Sequence, residues 1–129
     1  MAKIERFEDI EAWKKARELT KIIYEFTAQG KIAGDFSLRE QLRRASVSIM
    51  ANIAEGFERE GNKEFRQFLS MAKGSPGEVK ALMYVALDAS LTTLEQFDRI
   101  VSLADEASRL LAGFLRYLKV SDKKGSKFK

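Results

Sequence analysis

Residues 38–57 read LREQLRRASVSIMANIAEGF, and one helical face cannot hold all of their apolar side chains. At about 100° per residue, Leu38, Leu42, Ala45, Ile49 and Ile53 fall within one arc, the core stripe of an ordinary bundle helix. A second group, Val47, Met50, Ala51, Ala54 and Phe57, covers much of the opposite side over the later half of the helix. A lone protomer would leave that group in water, so it predicts an interface with another copy of the chain. Between the arcs run Gln41, Arg44, Ser48, Asn52 and Glu55, aligned on one edge of the cylinder. Polar groups confined in this way need partners. The spacing predicts a buried hydrogen-bond and ion-pair network that sets helix register or subunit geometry. A ligand or nucleic-acid contact by Arg43, Arg44 and Asn52 is the competing reading, and Glu55, which repels phosphate, argues against it.

Outward from this segment the chain reads as four helices. A single proline and long stretches of helix formers exclude a β fold. The first helix is expected to start near Asp9, to carry Ala12, Ala16, Leu19, Ile23 and Phe26 on its core face, and to end before Gly30. The segment GKIAGDF is expected to be a loop, with Ser37 and Glu40 as the capping box of the second helix, which runs to about Arg59. Glu60-Gly61-Asn62 predicts a short turn, with Asn62 as the N-cap of the third helix. Pro76 lies in the middle of that helix. The spacing of Phe65, Phe68, Ala72, Ser75, Val79, Leu82, Ala86 and Ala89 continues through it, which predicts one bent helix rather than two. Thr92 with Glu95, or Thr93 with Gln96, caps the fourth. Two offset apolar rows on the fourth helix, one from Phe97 to Leu118 and one from Ile100 to Tyr117, make a wide face. The expected fold is all-α: an antiparallel up-down-up-down four-helix bundle over residues 1–118 with short loops, followed by a flexible basic tail, 119–129.

Charge follows the same division. The formal excess of +4 comes entirely from residues 119–129, where Lys119, Lys123, Lys124, Lys127 and Lys129 face a single acid, Asp122. Residues 1–118 are balanced, with 18 basic and 18 acidic side chains. A neutral body with a basic end points any nucleic-acid binding, to RNA or DNA, at the tail lysines together with Arg43. The 129 residues are enough for one domain with its own core. Cysteine is absent, which fits a reducing cytoplasm, and no signal peptide or membrane span is expected from the charged N-terminus and the interrupted apolar runs.

Catalytic and metal chemistry finds little support. A di-iron bundle site needs Glu-x-x-His motifs, and the chain has no histidine; that also removes the usual zinc sites and histidine acid-base work. Gly74, Gly77 and Lys80 lack the preceding strand and the spacing of a phosphate loop. Ser70, Ser75 and Lys73 could be cast as a Ser-Lys pair, but nothing marks an oxyanion site beside them. We expect no enzyme activity, no cofactor and no small-molecule substrate. Trp13 and the nine phenylalanines read as core or interface.

The run QLRRASVSIMANIAEGFER followed by KEFRQFLSMAKGSPGE is similar to the signature of the four-helix bundle family known as S23 or 23S rRNA intervening-sequence proteins. Phe7-Glu8-Asp9-Ile10 with Trp13 and Ala16 resembles the family's opening, and the likeness covers about residues 7–118. The chain departs from the pattern at Met50, where relatives typically have proline, and at Pro76-Gly77. The resemblance implies bundles that assemble into homopentameric rings, with no established biochemical activity and a genetic association with ribosomal RNA genes. A more distant likeness, to the accessory variability protein of diversity-generating retroelements, implies a nucleic-acid accessory role linked to a reverse transcriptase. From residues and resemblance together, the expectation is a non-enzymatic homopentameric assembly or adaptor protein. The alternative is a nucleic-acid-binding accessory protein.

Overall fold

A computed structural model describes residues 4–123, and the backbone over them is four α-helices with two short 3-10 turns. Helix α1 spans Glu11–Thr27, α2 Phe36–Glu58, α3 Asn62–Asp88 and α4 Leu94–Lys123. Each helix packs on its neighbours in the chain and α1 closes the ring against α4. The result is a square antiparallel bundle, as expected.

The predicted core stripes of α1 and α2 are the observed ones. Ala12, Ala16, Leu19, Ile23 and Phe26 of α1 and Leu38, Leu42, Ala45, Ile49 and Ile53 of α2 are all buried. On α3 the expected Phe65, Ala72, Ser75, Val79 and Ala86 are buried, but Phe68 and Leu82 are half-buried and Ala89 is exposed, and Leu69 and Met83, outside the expected row, are fully buried; Ile100, Ala104, Leu111 and Leu118 of α4 are buried. Of the two rows on α4, Val101, Leu110, Leu115 and Tyr117 pack at the edge of the core. Burial of one stripe per helix supplies the driving force, at about 25 cal/mol per Å² of apolar surface removed from water. The ion pair from Lys15 to Glu106 at 3.4 Å joins α1 to α4, and Lys80 to Asp105 at 3.4 Å joins α3 to α4. Its hydrogen bond to Glu18, with Glu106 adding to it, holds the Lys15 ammonium above the ordinary lysine range.

Helix ends depart from the sequence reading in instructive ways. The N-cap of α2 is Asp35, whose carboxylate accepts from the Leu38 N–H at 3.0 Å; Ser37 instead accepts from Gln41 within the helix. Asp35 precedes Ser37 by two residues and is the better acceptor for an exposed helix dipole. The N-cap of α3 is Gly61, at φ +95°, a conformation that an L side chain rarely takes. Asn62 lies inside the helix, buried, with its amide donating to the Leu118 carbonyl at 3.4 Å. The expected loop before α2 contains a 3-10 turn, Lys31–Gly34, and another, Phe7–Asp9, precedes α1, which starts at Glu11 rather than Asp9. Pro76 sits within the continuous α3. Of the two boxes proposed for α4, Thr93 with Gln96 forms: the Thr93 hydroxyl accepts from the Gln96 N–H and the Gln96 side chain accepts from the Thr93 N–H, both at 3.1 Å.

Helix α4 does not stop at Leu118. It runs to Lys123, because Leu118 is fully buried and packing there lets the helix propagate past it without a new nucleation cost. Residues 124–129 lie outside the described part of the chain.

Two sites of backbone constraint invite opposite substitutions. Gly56 lies against α3 so closely that a Cβ there would stand 2.6 Å from the Phe68 Cβ. Ser90 ends α3 in a Schellman motif, with Leu91 N–H on the Ala86 carbonyl and Ser90 N–H on the Leu87 carbonyl, and at φ +61° it occupies the position that glycine usually takes. Gly56→Ala is expected to lower the unfolding free energy by about 1–3 kcal/mol through overpacking. Ser90→Gly is expected to raise it by about 1 kcal/mol by relieving the left-handed strain. Urea titrations followed by circular dichroism read both.

Candidate self-association surface

The second apolar arc of α2 lies where the bundle leaves it partly uncovered. Val47 is 40% exposed, Ala51 is also exposed, and Met50, Ala54 and Phe57 are half-buried. Helical projection puts Val47, Ala51 and Ala54 on the outer corner of α2 and Met50 on its α1 side, while the Phe57 ring meets that of Phe65 on α3 edge-on at 5.8 Å. Phe57 apart, the arc thus belongs to the seam between α1 and α2.

Helix α1 supplies the other half of that seam. The guanidinium of Arg43 lies 4.5 Å from the centroid of the Tyr24 ring, and its Nε donates to the Thr27 hydroxyl at 2.8 Å. These contacts place Arg43 near the level of Tyr24 on the antiparallel neighbour. At equal rise per residue, Thr20 then lies level with Val47, Arg17 with Met50, Trp13 with Ala54 and Ile10 with Phe57. Arg17 stacks on Trp13 at 5.8 Å, and Trp13 meets Phe7 edge-on at 5.2 Å. The α1 positions 13, 17, 20 and 24 and the α2 positions 43, 47, 50 and 54 include no acidic residue, in a chain that is 33% charged. Aromatic rings, methionine and arginine without carboxylates are the composition of the core of a protein interface.

The polar stripe is less unified than its spacing suggests. The structure brings together Ser48 and Asn52, whose amide donates to the Ser48 carbonyl at 2.9 Å and to its hydroxyl at 3.1 Å. Ser75 of α3 joins them, its hydroxyl donating to that of Ser48 at 3.3 Å. Gln41 turns back to Ser37, and Glu55 pairs with Arg59 at 2.8 Å. Arg44 is exposed and has no ion pair or hydrogen bond among the described residues. The five side chains do not form the single buried network expected of them. They follow the α2–α3 seam, and its ends are open to water, which satisfies polar groups without a protein partner.

The remaining expected sites can be placed as well. Arg43 is committed to Tyr24 and Thr27, so its guanidinium is not held out toward a phosphate. Lys119 is exposed on the last turns of α4, Lys123 ends that helix, and Lys124, Lys127 and Lys129 lie outside the described residues. Ser75 is buried against Ser48, whereas Ser70 and Lys73 are exposed, and Lys80 is paired with Asp105 rather than poised near Gly74 and Gly77. No group of three or more His, Cys, Asp or Glu among the described residues could hold a metal ion, and no described helix is long and apolar enough to cross a membrane.

Sequence reasoning passed over Tyr24 and Arg17 as parts of the surface. The signal was present as the acid-free run 13, 17, 20, 24 on the flank of α1, but only the Arg43 contact shows that this flank adjoins the arc on α2.

These features define a four-helix bundle protein with an apolar, arginine-bearing seam and no metal cluster among its described residues. The chain belongs to the 23S rRNA-intervening sequence protein family, whose model matches residues 8–113. Among solved structures it is similar to a protein of unknown function from the S23 ribosomal protein family of Bacteroides thetaiotaomicron, determined at 1.70 Å. The TM-score is 0.73 at 23% identity, with 81% of this chain and 97% of that one covered. At that identity the likeness speaks for the fold. No curated protein matches significantly. Neither description names a catalytic activity.

Proposed function

We propose that the protein is a non-enzymatic, self-assembling helical bundle, a homopentamer as the family resemblance implies, that acts in the cytoplasm as an assembly or adaptor unit. The observation that supports this reading is the acid-free seam of Trp13, Arg17, Tyr24, Val47, Met50 and Ala54, which one protomer leaves partly in water. Covering it with a second copy would bury its aromatic and aliphatic surface and strengthen the arginine-ring contacts by desolvation. Light scattering is expected to give a mass near five times 14.6 kDa at micromolar concentration. Ala54→Glu, which would bury an unpaired carboxylate in the contact, is expected to shift the population to monomers while the helical circular dichroism is kept. A wild-type monomer at that concentration would overturn the reading.

The concentration of the whole charge excess in residues 119–129 favours a second reading, in which the assembly carries nucleic acid on its basic ends. Helix α4 carries Lys119 on its last turns and ends at Lys123, so an assembly with parallel bundle axes would gather these positions on one rim. Filter binding with RNA and DNA at two salt concentrations tests it. Replacing Lys119, Lys123, Lys124, Lys127 and Lys129 by Gln is expected to abolish low-salt binding; binding unchanged by those replacements would sink this mechanism.

A further inference from the structure

The acid-free seam occupies one side of a square bundle, and a different apolar surface lies on the adjacent side. Ile4, Ile10, Ala12, Leu110, Gly113 and Phe114 line a groove of about 590 Å³ between the start of α1 and the later part of α4. Its rim carries Asp9, Glu11, Lys14 and Arg109. From these two surfaces we infer that assembly is head-to-tail: the lower half of the α1–α2 seam of one copy, centred on Ala54, seats in the α4–α1 groove of the next. The inference rests on the self-assembly reading above and names the second surface that reading requires.

Three observations carry it. The first is height. Lys15 meets Glu106, which places Glu11 level with Leu110, so the α4 wall of the groove, from Arg109 to Phe114, spans the levels of about residues 7–12. Trp13 and Ala54 stand at the upper edge of that span on the neighbouring side, so a rotation about an axis parallel to the bundle brings one surface onto the other with a slide of only a few Å. The second is angle. Adjacent sides of a square bundle face about 90° apart, close to the roughly 90–108° between contact surfaces that a ring of four or five subunits needs; opposite sides would give an open filament instead. The third is charge. Arg109 has no ionic partner among the described residues, and Glu58, exposed and equally without an ionic partner there, stands on the outer corner of α2 beside Ala54 and Phe57. Contacts of opposite sign at the edge of an apolar patch fix its register.

The absence of cysteine makes the pairing directly testable. Ala54→Cys changes a small side chain, and Leu110→Cys stands in the groove level with Glu11, within about 3 Å of Ala54 along the bundle axis. The two positions lie on diagonal helices of one protomer, which share no extensive contact, so a disulfide between them must join two copies. Under mild oxidation the double variant is expected to give a covalent ladder on non-reducing gels, ending at the subunit number that light scattering reports, and each single variant none. Efficient covalent dimers from Ala54→Cys alone would overturn the proposal in favour of a two-fold, like-to-like contact. No ladder from a double variant that still shows the multimeric mass would overturn it as well, while leaving self-assembly standing. A monomeric wild-type mass would instead remove the reading on which it rests.

Discussion

A helix at the corner of a four-helix bundle can turn only part of its circumference toward its own protomer, and α2 carries more apolar surface than that part can take. The rest of the structure is organised by this mismatch. Leu42, Ile49 and Ile53 go inward with no exposure, and at Gly56 α2 lies so close to α3 that a Cβ would stand 2.6 Å from the Phe68 Cβ. That approach commits the flank of α2 toward α3. The surplus on the outer corner and on the α1 side is left partly in water. Positions 13, 17, 20 and 24 of α1 and 43, 47, 50 and 54 of α2 carry no carboxylate, and Arg17 and Arg43 lie over aromatic rings, contacts that desolvation would strengthen.

How much of this could be read from residues alone depended on the range of each interaction. Periodicity is a local property, and the buried positions of α1 and α2 followed from it without error. Capping was read less well because several side chains compete for the same N–H groups: Asp35 and Ser37 lie two residues apart, both are good caps, and geometry alone gives the role to Asp35. Asn62 is a sharper case. Its composition and place fit an N-cap, yet its oxygen accepts from Arg66 one turn on and its amide donates to a carbonyl 56 residues away, and no local pattern contains the second contact.

The stripe from Gln41 to Glu55 shows the converse limit. Helical spacing established that the five side chains share an edge, and they do. It could not show whether they reach one another. Ser48 and Asn52, one turn apart, are joined, whereas Gln41 and Ser48 are two turns apart and each finds a separate partner. The seam with α1 was only half legible for a similar reason, since the arc on α2 was plain but the helix flank beside it is set by the fold.

The bond between Asn62 and the Leu118 carbonyl also marks where α3 begins beside α4, and α4 continues five residues beyond that point. At about 1.5 Å per residue, one helix therefore overshoots the end of the bundle by roughly 7 Å. The opposite end has no counterpart: it is closed by the Lys31–Gly34 turn and the Schellman motif at Ser90. The molecule has a top and a bottom that differ in both shape and charge. Any closed assembly with parallel axes inherits that polarity, with one face smooth and the other a collar of projecting cationic helix ends.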